Sequence, residues 1–139
     1  MSREVFEWPV RVYWEDTDAG GVVYYANYLR FLERARTEWV RSLGVDQSRL
    51  QAEQQVVLVV RSLQCDFLAP ARLDDELGIS VVPEAIGAAT LEMRQEVVRR
   101  ETGEVLLAAR VKAACLDSER WRPRRFPPVL RAALATENA

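Results

Sequence analysis

The sequence predicts an α+β fold in which one long helix packs on a five-stranded antiparallel sheet. Three observations point there. From Tyr28 to Leu43 apolar residues recur at three- and four-residue spacing, the pattern of one amphipathic helix. Beyond that stretch the apolar period switches to two, as in strands. Turn residues, among them Glu101-Thr102-Gly103, separate the later strands as hairpins. At 139 residues, the chain is expected to form a single domain, 1–139, with no room for a second independent core.

Residues 8–15 open the pattern, with Val10, Val12 and Trp14 expected on one face of a first strand. A loop from Asp16 to Ala26 follows, hinged at Gly20-Gly21. Asn27 is the expected N-cap of the helix. Tyr28, Phe31, Leu32, Ala35, Trp39, Val40 and Leu43 form its apolar stripe; Arg30, Arg34, Glu38 and Arg41 form its wet face, and Gly44 stops it. At about 1.5 Å per residue the helix is roughly 25 Å long, enough to cross a whole sheet.

Asp46 to Gln54 is polar, with room for one or two helical turns. Strands are expected over 56–68, 77–82, 90–99 and 105–116, with a turn from Pro70 to Asp75. An arginine-rich tail, Arg120 to Arg125, leads to Phe126-Pro127-Pro128, where regular structure is expected to end. A single helix covers one face of the sheet, so the other face and the edges call for a partner copy.

Composition narrows the chemistry. Apolar residues make up 49% and charged residues 29%, the profile of a folded chain. No apolar run reaches the roughly 20 residues of a membrane span, and the charged start Met1-Ser2-Arg3-Glu4 is unlike a signal peptide. A cytoplasmic address is expected. Cys65 and Cys115 lie singly in apolar strands, which suits packing rather than a disulfide or a zinc site. A net charge of −2 gives no reason to bind nucleic acid. Histidine is absent, which removes Ser-His-Asp and Cys-His nucleophiles and histidine-bearing zinc motifs. No phosphate loop or dinucleotide fingerprint occurs, and no cofactor or metal is expected.

The chemistry concentrates in Glu15-Asp16-Thr17-Asp18-Ala19-Gly20-Gly21-Val22-Val23-Tyr24-Tyr25-Ala26-Asn27-Tyr28. Carboxylates end a strand, two glycines let the chain turn, and aromatics enter a helix start. Unsatisfied N–H groups there suit the oxyanion formed when a thioester carbonyl is attacked. A carboxylate across the turn suits attack or activation of water. Read from spacing alone, the same stretch is more readily a solvated acidic loop with a helix cap.

The segment Trp8-Pro-Val-Arg-Val-Tyr-Trp-Glu-Asp-Thr-Asp-Ala-Gly-Gly-Val-Val-Tyr and the following Asn-Tyr-Leu-Arg-Phe-Leu-Glu-Arg-Ala-Arg-Thr-Glu resemble the hotdog-fold thioesterases of the 4-hydroxybenzoyl-CoA thioesterase superfamily. Within it they resemble the YbgC-like subfamily associated with the Tol–Pal system. Val59-Val60-Arg61, Ala69-Pro70-Ala71-Arg72-Leu73-Asp74-Asp75 and the proline-arginine ending near 123–127 extend the likeness along nearly the whole chain.

The resemblance implies acyl-CoA hydrolysis, with Asp18 as nucleophile or general base and the backbone N–H of Tyr25 polarising the carbonyl. It also implies dimers or tetramers with sheets made continuous and active sites at the dimer interface. An acyl carrier protein is a further candidate partner. The departure is Tyr25, where YbgC-like members usually carry histidine; the hydroxybenzoyl-CoA enzymes carry an aromatic residue there and are active.

Trp14, Tyr24 and Arg61 are candidate substrate-binding residues, and Tyr13 and Tyr28 are further aromatics beside the sheet. Asp16 is expected to be a hydrogen-bond acceptor in the loop rather than a second catalyst. Glu33 and Arg36 are expected to pair with each other or with a partner chain. Arg120, Arg122, Arg124 and Arg125 form either a solubilising tail or a site for CoA phosphates or an acidic carrier. The competing functional reading is a catalytically silent hotdog module that binds acyl-CoA or a partner protein. A hotdog dehydratase is disfavoured because it relies on a histidine base.

Overall fold

The chain leaves its first strand earlier than its alternation suggests. The computed structural model describes residues 5–138, and β1 covers Phe6–Arg11. Val10 and Val12 point into the core, but a 3-10 turn at Trp14–Asp16 throws Trp14 out to 80% exposure. The expected inward Trp14 is therefore corrected. Asp16 causes the turn, because its Oδ2 accepts the Tyr13 N–H at 2.8 Å.

The long helix α1 spans Asn27–Ser42 and buries Tyr28, Phe31, Leu32, Ala35, Trp39 and Val40, the stripe its spacing predicts. Asn27 is its first residue rather than its cap; Ala26 holds the cap position and offers no side-chain hydrogen bond. Gly44, at φ +84°, takes the chain out of the helix. The polar segment forms α2 (Gln47–Gln54), capped by Asp46, whose carboxylate accepts the Arg49 N–H.

Four long strands follow: β2 (Val56–Phe67), β3 (Glu76–Ile86), β4 (Thr90–Arg99) and β5 (Val105–Asp117). The antiparallel sheet runs in the order β1-β3-β4-β5-β2, and a two-residue β6 (Arg122–Pro123) pairs with the end of β5. β3 continues past the expected end at Val82, because a register shift between Pro83 and Ala85 accommodates the proline that cannot donate to the ladder. Leu91, Met93, Gln95 and Val97 of β4 are buried, as are Ala109, Val111, Ala113 and Cys115 of β5. Cys115 is thus core and Cys65 only half-buried; both are free thiols raised by desolvation.

Two further expectations change. Regular structure does not end at Pro128: α3 (Pro128–Asn138) follows and buries Leu130 and Leu134 beside Phe126. A proline at the first helical position loses no hydrogen bond there, and each buried leucine contributes roughly 1.5–3 kcal/mol. The sheet face away from the helices is not apolar either. It carries Glu84 bridged to Arg94 at 3.8 Å and Arg110 at 3.7 Å, and Glu92 beside Lys112 at 3.9 Å. That face is content in water. Of the two edge strands, β1 and β2, it is β2, with Val60, Leu63 and Phe67 exposed, that retains the argument for a partner.

Candidate active site

The glycine loop is a tight hairpin. Thr17 and Val23 pair across it, Asp18 N–H donates to Val22 O at 2.9 Å, and Gly21 N–H donates to Asp18 O at 3.0 Å. Gly21 sits at φ +77°, a conformation that favours glycine, so the turn needs it. The outgoing arm is anchored in turn, since Val23 N–H donates to Ala71 O at 2.9 Å. Asp18 rides the tip of this hairpin in solvent, its Oδ1 accepting the Gly20 N–H at 2.8 Å. Its Oδ2 has no partner among the described residues.

The hairpin runs directly into α1. Tyr24 N–H donates to Asp16 O at 3.0 Å, and Asn27 N–H to Tyr24 O at 2.8 Å. The N–H of Tyr25, one residue before the Ala26 cap position, has no partner among the described residues. Asp18 lines an open depression of about 310 Å³ with Glu15, Thr17, Tyr24, Ala26, Asn27 and Arg30.

Aromatic rings flank it. The Tyr24 and Tyr25 rings lie 4.9 Å apart, and Tyr25 meets Phe67 edge-on at 6.4 Å. A hydrogen bond with the Tyr25 hydroxyl pushes the Tyr24 phenol above its usual range. Tyr28 is different: it is 4% exposed, and its hydroxyl accepts the Ala71 N–H at 2.9 Å. Burial raises its phenol, against the opposing effect of that bond. Of the four aromatics named from the sequence, only Tyr28 is core; Tyr13, Trp14 and Tyr24 are exposed.

The sequence candidates therefore divide. Asp18 and Tyr24 share one depression, and Tyr25 stacks at its side. Arg61 occupies the bulge of β2, and its side chain makes no hydrogen bond or ion pair among the described residues. Asp16 is the buried acceptor foreseen for it. Glu33 and Arg36 do not pair with each other: Glu33 Oε1 accepts the Thr37 hydroxyl, and Arg36 donates to Gln95 Oε1 at 3.0 Å. Those nearer side-chain partners win over the charge pair. Arg30 and Phe67 had no site role in the sequence reading, and Asn27 only that of a helix cap. Only Arg30 had a signal, since it falls on the wet face one turn into the helix.

A family model described as Thioesterase-like superfamily matches residues 12–134, and the chain belongs to that superfamily. Its YbgC-like character follows from two relatives. The acyl-CoA thioesterase YbgC of Haemophilus influenzae is 45% identical over 133 residues, covering 96% of each chain. The acyl-CoA thioester hydrolase YbgC of Escherichia coli is 45% identical over 127 residues, covering 91% of this chain and 93% of the relative. The solved structure of Slr0204, a 1,4-dihydroxy-2-naphthoyl-CoA thioesterase from Synechocystis, matches with a TM-score of 0.88 over 98% of this chain and 99% of its own, at 22% identity. The architecture is the hotdog fold.

Proposed function

We propose that this chain hydrolyses acyl-CoA thioesters to the free acid and CoA, with Asp18 and the backbone N–H of Tyr25 as its chemical groups. One observation carries the reading: the hairpin that exposes Asp18 runs unbroken into a helix start whose Tyr25 N–H is unengaged. A thioester carbonyl oxygen accepting that N–H gains a donor that strengthens as the oxygen becomes an oxyanion. Asp18 then acts in one of two ways. As nucleophile, a carboxylate oxygen attacks the carbonyl carbon, the C–S bond breaks, CoA leaves as thiolate, and water cleaves the resulting anhydride. As general base, it removes a proton from water as the oxygen attacks the same carbon, the C–S bond breaks, and the departing CoA sulfur takes up that proton.

The surroundings suit such a substrate. Tyr24, Tyr25 and Phe67 supply an apolar wall for an acyl group. Arg30 lines the depression without an ion-pair partner among the described residues, a cation placed for the polyanionic CoA. The working unit is at least a dimer built on the exposed β2 edge. The exposed Arg122 and Arg125 are the docking candidates for an acidic carrier protein. No helix among the described residues is long and apolar enough to cross a membrane.

A panel of aliphatic and aromatic acyl-CoAs, with released CoA trapped by a thiol reagent, tests the reading. Release well above the rate without protein, for at least one acyl group, is expected. No release from any of them would leave the silent binding module in its place.

A further inference from the structure

We propose that Asp16 and Asn27 form a positioning pair that sets the Asp18 carboxylate against the open N–H of Tyr25; this rests on the roles given to those two groups above. Both side chains are buried, at 6% and 9% exposure. Asn27 Nδ2 donates to Asp16 Oδ1 at 2.8 Å, and Asp16 Oδ2 accepts the Tyr13 N–H at 2.8 Å. The Asp16 carbonyl accepts the Tyr24 N–H at 3.0 Å. One residue thus ties together the turn after β1, the outgoing hairpin arm and the first residue of α1. Asp18 comes two residues after Asp16, and Tyr25 two before Asn27. The pair brackets both groups.

Charge supplies the second half of the argument. Helix α1 starts with no side-chain cap and no acidic residue in its first turn. A side chain at the Ala26 cap position would accept an N–H of the second or third helical residue, so the Tyr25 N–H, one residue before that cap, is not the donor such a cap would take. Asp16 brings a carboxylate to that helix end from outside the helix. Its side-chain bonds go to the Asn27 amide and the Tyr13 N–H, so the Tyr25 N–H stays open.

Exchanging the two side-chain types tests the pair. In Asp16→Asn one amide hydrogen must face another donor, either the Tyr13 N–H or the Asn27 amide. In Asn27→Asp two carboxylates meet where a hydrogen bond stood. In the double variant, the amide at position 16 accepts the Tyr13 N–H through its oxygen and donates through its nitrogen to the carboxylate at position 27. The bond returns with donor and acceptor reversed, and the net charge is unchanged.

Each single variant should lose about a hundredfold in kcat, the scale of a 1 Å misplacement, with KM little changed. The double variant should regain at least about tenfold over either, as coupled neighbours do in a double-mutant cycle. A second readout needs no turnover: amide hydrogen exchange at Tyr24 and Asp18, both bonded across the hairpin, should speed up in each single variant and slow again in the double. Singles with wild-type kcat overturn the proposal. So does a double variant that recovers its exchange protection without recovering kcat, because the pair would then hold the fold and not the site. Should the wild-type chain release no CoA at all, the thioesterase reading fails, and the exchange measurements alone decide whether the pair sets the hairpin.

Discussion

Tyr25 and Tyr28 lie three residues apart, yet losing one hydroxyl should matter far more than losing the other. Tyr28→Phe removes the one acceptor that the Ala71 N–H has among the described residues, at a residue that is 0% exposed. A buried donor left unsatisfied costs about 1–3 kcal/mol. At about 2.1 cal/mol/K per residue, the unfolding entropy of 139 residues is about 290 cal/mol/K, so each kcal/mol moves Tm by about 3.4 °C. Tyr28→Phe should therefore lower Tm by about 3–10 °C, read by differential scanning calorimetry with Tyr25→Phe as control. The Tyr25 ring is 64% exposed, and its hydroxyl meets only Tyr24, so the control should melt with the wild type. Tm values for Tyr28→Phe and wild type within about 1 °C would refute the reasoning, since Ala71 would then have found another acceptor.

The burial of that phenol has a pH signature as well. The Tyr28 phenol is raised by burial, so its contribution to stability is complete below the ordinary phenol range and is lost as pH rises through its folded value. Alkaline melts should fall more steeply for wild type than for Tyr28→Phe; parallel curves would refute this. Tyr25→Phe should change kcat less than about tenfold, because its proposed role lies in the backbone N–H; a thousandfold loss in a steady-state assay would implicate the phenol. Gly20→Ala places a Cβ 3.2 Å from Asp18 Oδ1, so it should reduce turnover at little cost in Tm. Gly21→Ala meets no atom within 4 Å but strains a φ of +77°, so it should lower Tm first. The reverse order of effects in paired melts and assays would contradict the hairpin geometry. The kcat/KM profile should show one acid limb and a plateau through neutral pH. A basic limb between about pH 7 and 8 would require an essential acid that a histidine-free chain does not supply.

Periodicity carried most of the fold. The stripe of α1 and the hairpin around Gly103 stand where three- and two-residue spacing put them, because burial of one face is what that spacing records. Departures arise where a side chain intervenes. Asp16 ends the first strand by capturing the Tyr13 N–H, which no alternation foretells, and Asn27 turns inward to Asp16 instead of capping. Pro127-Pro128 reads as a stop, yet Pro128 opens α3. For the proposed site, Asp18 and Tyr25 are singled out by resemblance to the motif. The openness of one N–H depends on which neighbours accept which donors, and that is decided only when residues distant in sequence, such as Ala71 and Val23, meet.

Asp18→Asn tests the central claim most directly. The amide keeps the carboxylate's shape, and its oxygen still accepts the Gly20 N–H, but it is neither anionic nor basic. CoA release should fall by at least about a hundredfold, with circular dichroism and Tm unchanged. Turnover within a few-fold of wild type, on an acyl-CoA the wild-type chain hydrolyses, would contradict the account.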